Sequence, residues 1–196
     1  MKRGIILPAL LILFINNYGQ LWLKNYENVS KCVCGLSLVE KNGKRGYVNE
    51  QGKLMIPLIY NAAMTFSEGR AGIMKDDKWG FIDSTGKEFV EPQYSEVFSF
   101  KEGLAVVAKD DNYGFIDTTG HLAIPMNYNN ARSFNSGLAP VSNRKMQWGF
   151  IDKNGKEVIP FRYSFAETFT DGVARVMKDG KWMYIDQTGK AVKEDQ

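Results

Sequence analysis

A five-residue pattern, aromatic-Gly-aromatic-Ile-Asp, returns along this chain at a nearly fixed step, and that repetition limits the available folds more than any other feature. It reads Trp79-Gly80-Phe81-Ile82-Asp83, Tyr113-Gly114-Phe115-Ile116-Asp117 and Trp148-Gly149-Phe150-Ile151-Asp152. Weaker copies flank these, Arg45-Gly46-Tyr47-Val48-Asn49 and Trp182-Met183-Tyr184-Ile185-Asp186. Successive copies are separated by 34, 34, 35 and 34 residues. Each is followed by a glycine at one offset: Gly52, Gly86, Gly120, Gly155 and Gly189. A tyrosine comes eight residues later in Tyr60, Tyr94, Tyr128 and Tyr163, and a phenylalanine six further on in Phe66, Phe100, Phe134 and Phe169. Gly69, Gly103, Gly137 and Gly172 then open the next copy.

Each copy parses as a small β-meander. Leu104 to Lys109 has the alternation and branched residues of a strand. Asp110-Asp111 forms a tight hairpin loop, matched by Asn42-Gly43, Asp76-Asp77 and Asp179-Gly180, residue types that tolerate positive φ. The 35-residue step is explained by an extra residue within Asn143-Arg144-Lys145-Met146. Tyr113 to Asp117 is the returning strand, with Tyr113 and Phe115 on one face and Gly114 and Ile116 on the other. The turn Asp117-Thr118-Thr119-Gly120 leads to a short third strand, Leu122 to Ile124. Pro125 is expected to end pairing, since it has no N–H for a ladder. Tyr128 to Phe134 reads as a connector pinned to the core by its two rings.

A three-stranded unit of this size cannot stand alone, whereas stacked neighbours bury one another's rings. The expected fold class is therefore all-β: a tandem array of short antiparallel three-stranded meanders, open as a solenoid or superhelix, the alternative being a closed propeller-like ring. Residues 35–68, 69–102, 103–136 and 137–171 are full units, and 172–196 is a partial fifth. Residues 20–34 read as a linker or N-terminal cap.

The concerted positions resemble the WG repeat family, whose pattern runs Trp-Gly-Phe-Ile-Asp, two residues, Gly-Lys, an apolar pair with Pro, a Tyr, a Phe and a Gly-Leu-Ala-like start. The match extends over roughly residues 35–192. Departures are Arg45 and Tyr113 for Trp, Met183 for Gly, and Pro92 displaced by one residue, which makes the first and last units degenerate edges. The resemblance implies a bacterial β-repeat protein with a binding role and no agreed catalytic activity. In that setting the Asn28-Val29-Ser30 sequon is read as coincidental.

Lys2 and Arg3 precede an apolar run from Ile5 to Ile15. Eleven helical residues reach roughly 16 Å, about half of a bilayer core, which predicts a secretory signal over residues 1–19 in preference to a spanning anchor. Export, to the periplasm, the envelope or the medium, follows as the expected address. Without Lys2 and Arg3 the chain has 23 basic and 22 acidic residues. That balance offers no overall electrostatic reason for nucleic acid or anionic membrane as a partner. Cys32 and Cys34 are the only thiols. They are a candidate short disulfide in an oxidising compartment, one that needs a local kink because i and i+2 on a strand lie about 6.6 Å apart.

The recurring Asp83, Asp117, Asp152 and Asp186 each head a Gly-closed turn, where a carboxylate caps its own backbone; Asn49 does the same work in the first copy. EF-hand spacing is absent. His121 is the sole histidine, and Lys53, Lys87, Lys156 and Lys190 hold the same place elsewhere. It therefore reads as a solvated residue, and zinc or Ser-His chemistry has no basis. No Gly cluster precedes a helix as a phosphate loop does. Catalytic, metal and cofactor residues are expected to be none. The row Trp79, Tyr113, Trp148 and Trp182 is the one candidate ligand contact, either stacking on cell-wall sugars or packing between units, and packing is preferred. The expected function is a non-catalytic module for protein binding or scaffolding at the envelope, with glycan binding as the alternative.

Overall fold

The computed structural model describes residues 17–194. The expected signal, residues 1–19, lies almost wholly outside that range. A 3-10 helix, Asn17–Asn25, is followed only by strands. The first sheet comprises β1 (Asn28–Val29), β2 (Leu36–Lys41), β3 (Lys44–Asn49) and β4 (Leu54–Tyr60). The second comprises β5 (Ala62–Ala63), β6 (Arg70–Lys75), β7 (Lys78–Asp83) and β8 (Glu88–Tyr94). The third comprises β9 (Glu96–Val97), β10 (Leu104–Lys109), β11 (Asn112–Asp117) and β12 (Leu122–Tyr128). The fourth comprises β13 (Asn130–Ala131), β14 (Ala139–Ser142), β15 (Trp148–Ile151) and β16 (Glu157–Tyr163). The fifth comprises β17 (Phe165–Ala166), β18 (Val173–Lys178), β19 (Lys181–Asp186) and β20 (Ala191–Glu194). Every sheet is an antiparallel meander in chain order.

The repeated all-β meander is thus present, with two differences from the sequence reading. The connector is not wholly irregular: its first residues form a two-residue strand pairing into the next sheet, as Val97 does with Val107 and Glu96 with Ala108. Each sheet therefore has four strands, and the fifth is complete because its β17 comes from the preceding connector. Second, the proline does not end pairing. The last strand runs seven residues through Pro57, Pro92, Pro125 or Pro160. Between the pairs Tyr113–Tyr128 and Phe115–Ile124 the ladder advances two residues on β11 and four on β12, a bulge that absorbs the missing N–H.

That bulge explains the glycine of the motif. A β-carbon on Gly46, Gly80, Gly114 or Gly149 would lie 2.4–2.7 Å from a backbone carbonyl oxygen of the neighbouring strand. Only glycine allows the bulged strand so close. In the fifth sheet Met183 pairs with Glu194 and Tyr184 with Lys193 in unbroken register, with no proline bulge between them. A side chain is admitted there, which accounts for Met183.

Successive sheets pack face to face, and four apolar clusters lie at the four junctions. At each one a motif ring meets the connector ring of the following sheet: Tyr47–Phe66, Phe81–Phe100, Phe115–Phe134 and Phe150–Phe169, with centroids 4.8, 5.2, 5.0 and 4.9 Å apart in that order. Such pairs contribute about 0.5–1.5 kcal/mol beyond their area. Among the described residues no core cluster joins the fifth sheet to the first, so the array is open.

The ends differ from the middle. A β-carbon on Gly86, Gly155 or Gly189 would touch Ile56, Ile124 or Ile159 of the preceding sheet, whereas one on Gly52 would fall 2.2 Å from the Trp22 ring. Trp22, from the 3-10 helix, thus takes at Gly52 the place that an isoleucine of the preceding sheet holds at Gly86, Gly155 and Gly189. At the other end Arg175 pairs with Tyr184 where the other four sheets have Leu38, Gly72, Val106 and Pro140.

Candidate functional site

The meander order puts the turns leading into β2, β6, β10, β14 and β18 on the same rim as the Asp-headed turns, and the hairpin tips on the opposite rim. Conformation on the first rim is set locally. Glu68, Glu102, Ser136, Asp171 and Cys34 all take positive φ ahead of a positive-φ glycine, making two-residue turns closed by paired backbone hydrogen bonds, as between Lys101 and Leu104.

These turns are tied to one another. The Glu68 carboxylate accepts the N–H groups of Glu102 and Gly103 at 2.7 and 2.9 Å. Glu102 accepts the Gly137 N–H at 3.1 Å and meets Lys153 Nζ at 3.3 Å. Ser67 donates to the Phe100 carbonyl at 2.8 Å, and Arg70 Nε to that of Thr118. Sequence reading missed this clasp, although Glu68 and Glu102 stand one period apart.

The recurring acids serve their own turns. Asp117 Oδ1 accepts from the Thr119 N–H, the Thr119 hydroxyl and the His121 N–H at 2.8, 2.6 and 3.1 Å. Asp83, Asp152 and Asp186 repeat the pattern, as does Asn49. The threonine hydroxyl, then the turn amides, holds the carboxyls of Asp83, Asp117 and Asp186 below the usual range. The longer loop at Asn143 copies this turn, with Asn143 Oδ1 accepting from Lys145 and Gln147 and with Met146 in the glycine's place at φ 59. His121 is exposed, its Nδ1 lying 2.6 Å from the Thr119 hydroxyl. Among the described residues no group of three or more His, Cys, Asp and Glu side chains could hold a metal ion.

The aromatic row is engaged in packing. Trp148 is buried, with Phe165 at 5.8 Å on one side and the Arg132 guanidinium 5.4 Å from its centroid. Phe165 in turn meets Trp182 at 5.7 Å, and Arg175 lies 4.2 Å over the Trp182 ring. Trp79 and Tyr113 are half-buried. Tyr113 donates to Glu96 at 2.6 Å, and burial followed by that carboxylate pushes its phenol up to about 12. The four residues therefore sit in equivalent places without forming one continuous open platform. Cys32 and Cys34 are both free thiols; Cys32 occupies the position of the connector phenylalanine and its Sγ lies 3.9 Å from Glu50. Among the described residues no helix is long and apolar enough to cross a membrane.

Five stacked meanders joined by ring pairs and turn-to-turn clasps define a tandem β-repeat protein. The WG containing repeat model matches residues 46–79, 79–113, 113–145 and 148–182, and the chain belongs to that family. No curated protein matches the sequence. Among solved structures the chain is similar in fold to the computationally designed Ika8 protein, with TM-score 0.56, 14% identity, and coverage of 85% of this chain and 61% of that one. It is also similar to Kluyveromyces lactis Hsv2, with TM-score 0.54, 12% identity and coverage of 83% and 59%. A eukaryotic initiation factor gives TM-score 0.54, 11% identity and coverage of 85% and 54%. The chain thus spans less than two thirds of each of these structures.

Proposed function

We propose that this array is a non-catalytic scaffold that binds a protein partner, acting outside the cytoplasm or at the bacterial envelope. One observation carries the reading: the motif rings and acids face the junctions and turns, while the five hairpin tips stand exposed in a row on the opposite rim. Those tips are Asn42-Gly43, Asp76-Asp77, Asp110-Asp111, Arg144 to Met146 and Asp179-Gly180, all on one rim. A row of exposed tips repeated at one spacing suits recognition of an extended macromolecular surface. The carboxylates that would be first choice for acid–base work are committed to backbone hydrogen bonds.

Photo-crosslinking residues placed singly at Asn42, Asp77, Asp111, Lys145 and Asp179, in cells that make the protein, test the reading. A common crosslinked protein from several tips is expected. Crosslinks to none, together with turnover of a substrate by the purified chain, would overturn it. Export is tested separately by the mature N-terminus, expected at Gln20.

A further inference from the structure

We infer that the outer edge of the first sheet is a docking surface for an anionic lipid membrane, a contact that goes beyond the proposed protein partner and meets the row of hairpin tips only at Asn42-Gly43. On β4, Leu54, Met55 and Ile59 are 44%, 49% and 48% exposed. The other sheets place polar groups where Ile59 stands, namely Gln93, Asn127 and Arg162, and two of them place Glu88 and Glu157 where Leu54 stands. Freedom from charge along the whole strand is shared only with β12, which also exposes Leu122 but carries Asn127 where Ile59 stands. Leu21, 59% exposed, extends the apolar surface, since its neighbour Trp22 packs on Gly52 just before β4.

Charge singles out the same region. Residues 17–60 hold six basic and three acidic side chains, whereas residues 61–196 hold seventeen and nineteen. The near-neutral total hides this asymmetry. Lys24, Lys41, Lys44 and Lys53 are exposed, and among the described residues none of them is ion-paired. Of the three acids, Glu40 pairs with Arg45 at 3.5 Å and Glu27 accepts the Asn42 N–H.

The chemistry of the edge favours lipid over another strand. Pro57 offers no N–H, and the ladder is bulged between the Arg45–Tyr60 and Tyr47–Ile56 pairs, so β4 is a poor template for strand addition. A membrane surface demands no backbone hydrogen bonds. It takes apolar side chains at the acyl boundary and lysines at the phosphates.

The test is co-sedimentation of the full chain with phosphatidylglycerol–phosphatidylcholine vesicles and with phosphatidylcholine vesicles alone. Salt-sensitive binding to the first is expected. The double variant Leu54→Glu, Ile59→Gln, which installs residues that β8 carries at these places, should bind roughly tenfold more weakly or worse. Lys41→Gln with Lys44→Gln should weaken it too, while Lys178→Gln with Lys181→Gln should not. Wild-type affinity in the Leu54→Glu, Ile59→Gln variant, which would place any binding elsewhere, overturns the inference. So does equal, salt-insensitive binding to neutral vesicles. Self-association abolished by that variant would make the occupant a second copy and overturns it as well. Crosslinking from the other four tips, at Asp77, Asp111, Lys145 and Asp179, reports on the protein partner independently.

Discussion

Gly114 lies beneath the carbonyl of Ile124, so close that a β-carbon would fall 2.7 Å from that oxygen. The contact exists because β12 bulges around Pro125, and the fifth sheet, without that bulge, carries Met183 instead. Motif glycine and edge proline are therefore two halves of one joint.

The Asp-headed turns predict an acid limb. Asp83, Asp117 and Asp186 titrate below the ordinary 3.8 in the folded chain because a threonine hydroxyl and turn amides bind the carboxylate. Their stabilisation is present above the unfolded-chain value and is lost as pH falls through the lower folded value. Replacing all three by Asn, the residue already used at 49 and 143, keeps the acceptor oxygen. Urea midpoints should be nearly unchanged at pH 7, and their decline below pH 4 shallower. A clear loss of stability at pH 7 in the triple variant, or an acid limb as steep as that of the wild type, would contradict this.

An alkaline limb follows from Tyr47. Its ring is fully buried, its hydroxyl donates to the Met64 carbonyl at 2.7 Å, and burial raises its phenol above the usual range. A raised folded value means stability that holds below the unfolded value and falls as pH rises toward the folded one. Absorbance titration at 295 nm of Tyr47→Phe against wild type should show one fewer phenolate, appearing only with unfolding. Ionisation of Tyr47 near its ordinary value in the native chain would contradict it.

Met146 is a third case. It holds a left-handed conformation that its counterparts in the other Asx turns give to glycine. Met146→Gly should stabilise the array by about 1 kcal/mol, read from the denaturant midpoint. No change, or a loss, would mean that the contact of Met146 with Asn129 outweighs the strain.

Trp148 discriminates packing from sugar binding. Buried against Arg132 and Phe165, it should resist acrylamide quenching. Trp148→Ala should cost about 3–5 kcal/mol. Soluble wall fragments should leave tryptophan emission unaltered. A saturable spectral shift with those fragments would favour the glycan reading.

Much of this architecture was legible in the residues, because tight turns need particular side chains. Asn42-Gly43 and Asp179-Gly180 mark hairpins by their φ, and Asp117 to Gly120 marks a capped turn. The strand of two residues was not legible, since Ala62-Ala63 or Glu96-Val97 carries no periodicity of its own and pairs only because the next sheet offers an edge. Pro125 misled for a related reason: a missing donor ends a regular ladder but not a bulged one. A signal was there, in that glycine and proline recur together in four copies and vanish together in the fifth. At the candidate site the Asp and Trp positions were readable from their spacing. The Glu68 clasp, the Arg132 and Arg175 stacks and the bare edge of β4 depend on neighbours remote in sequence.

The most direct measurement is urea unfolding of Gly114→Ala beside Met183→Ala, with partner crosslinking followed in both. Motif residues acting as joints predict a loss of about 2 kcal/mol or more for Gly114→Ala and a much smaller effect for Met183→Ala. A Gly114→Ala protein as stable as wild type but unable to engage its partner would show that the motif handles a ligand instead.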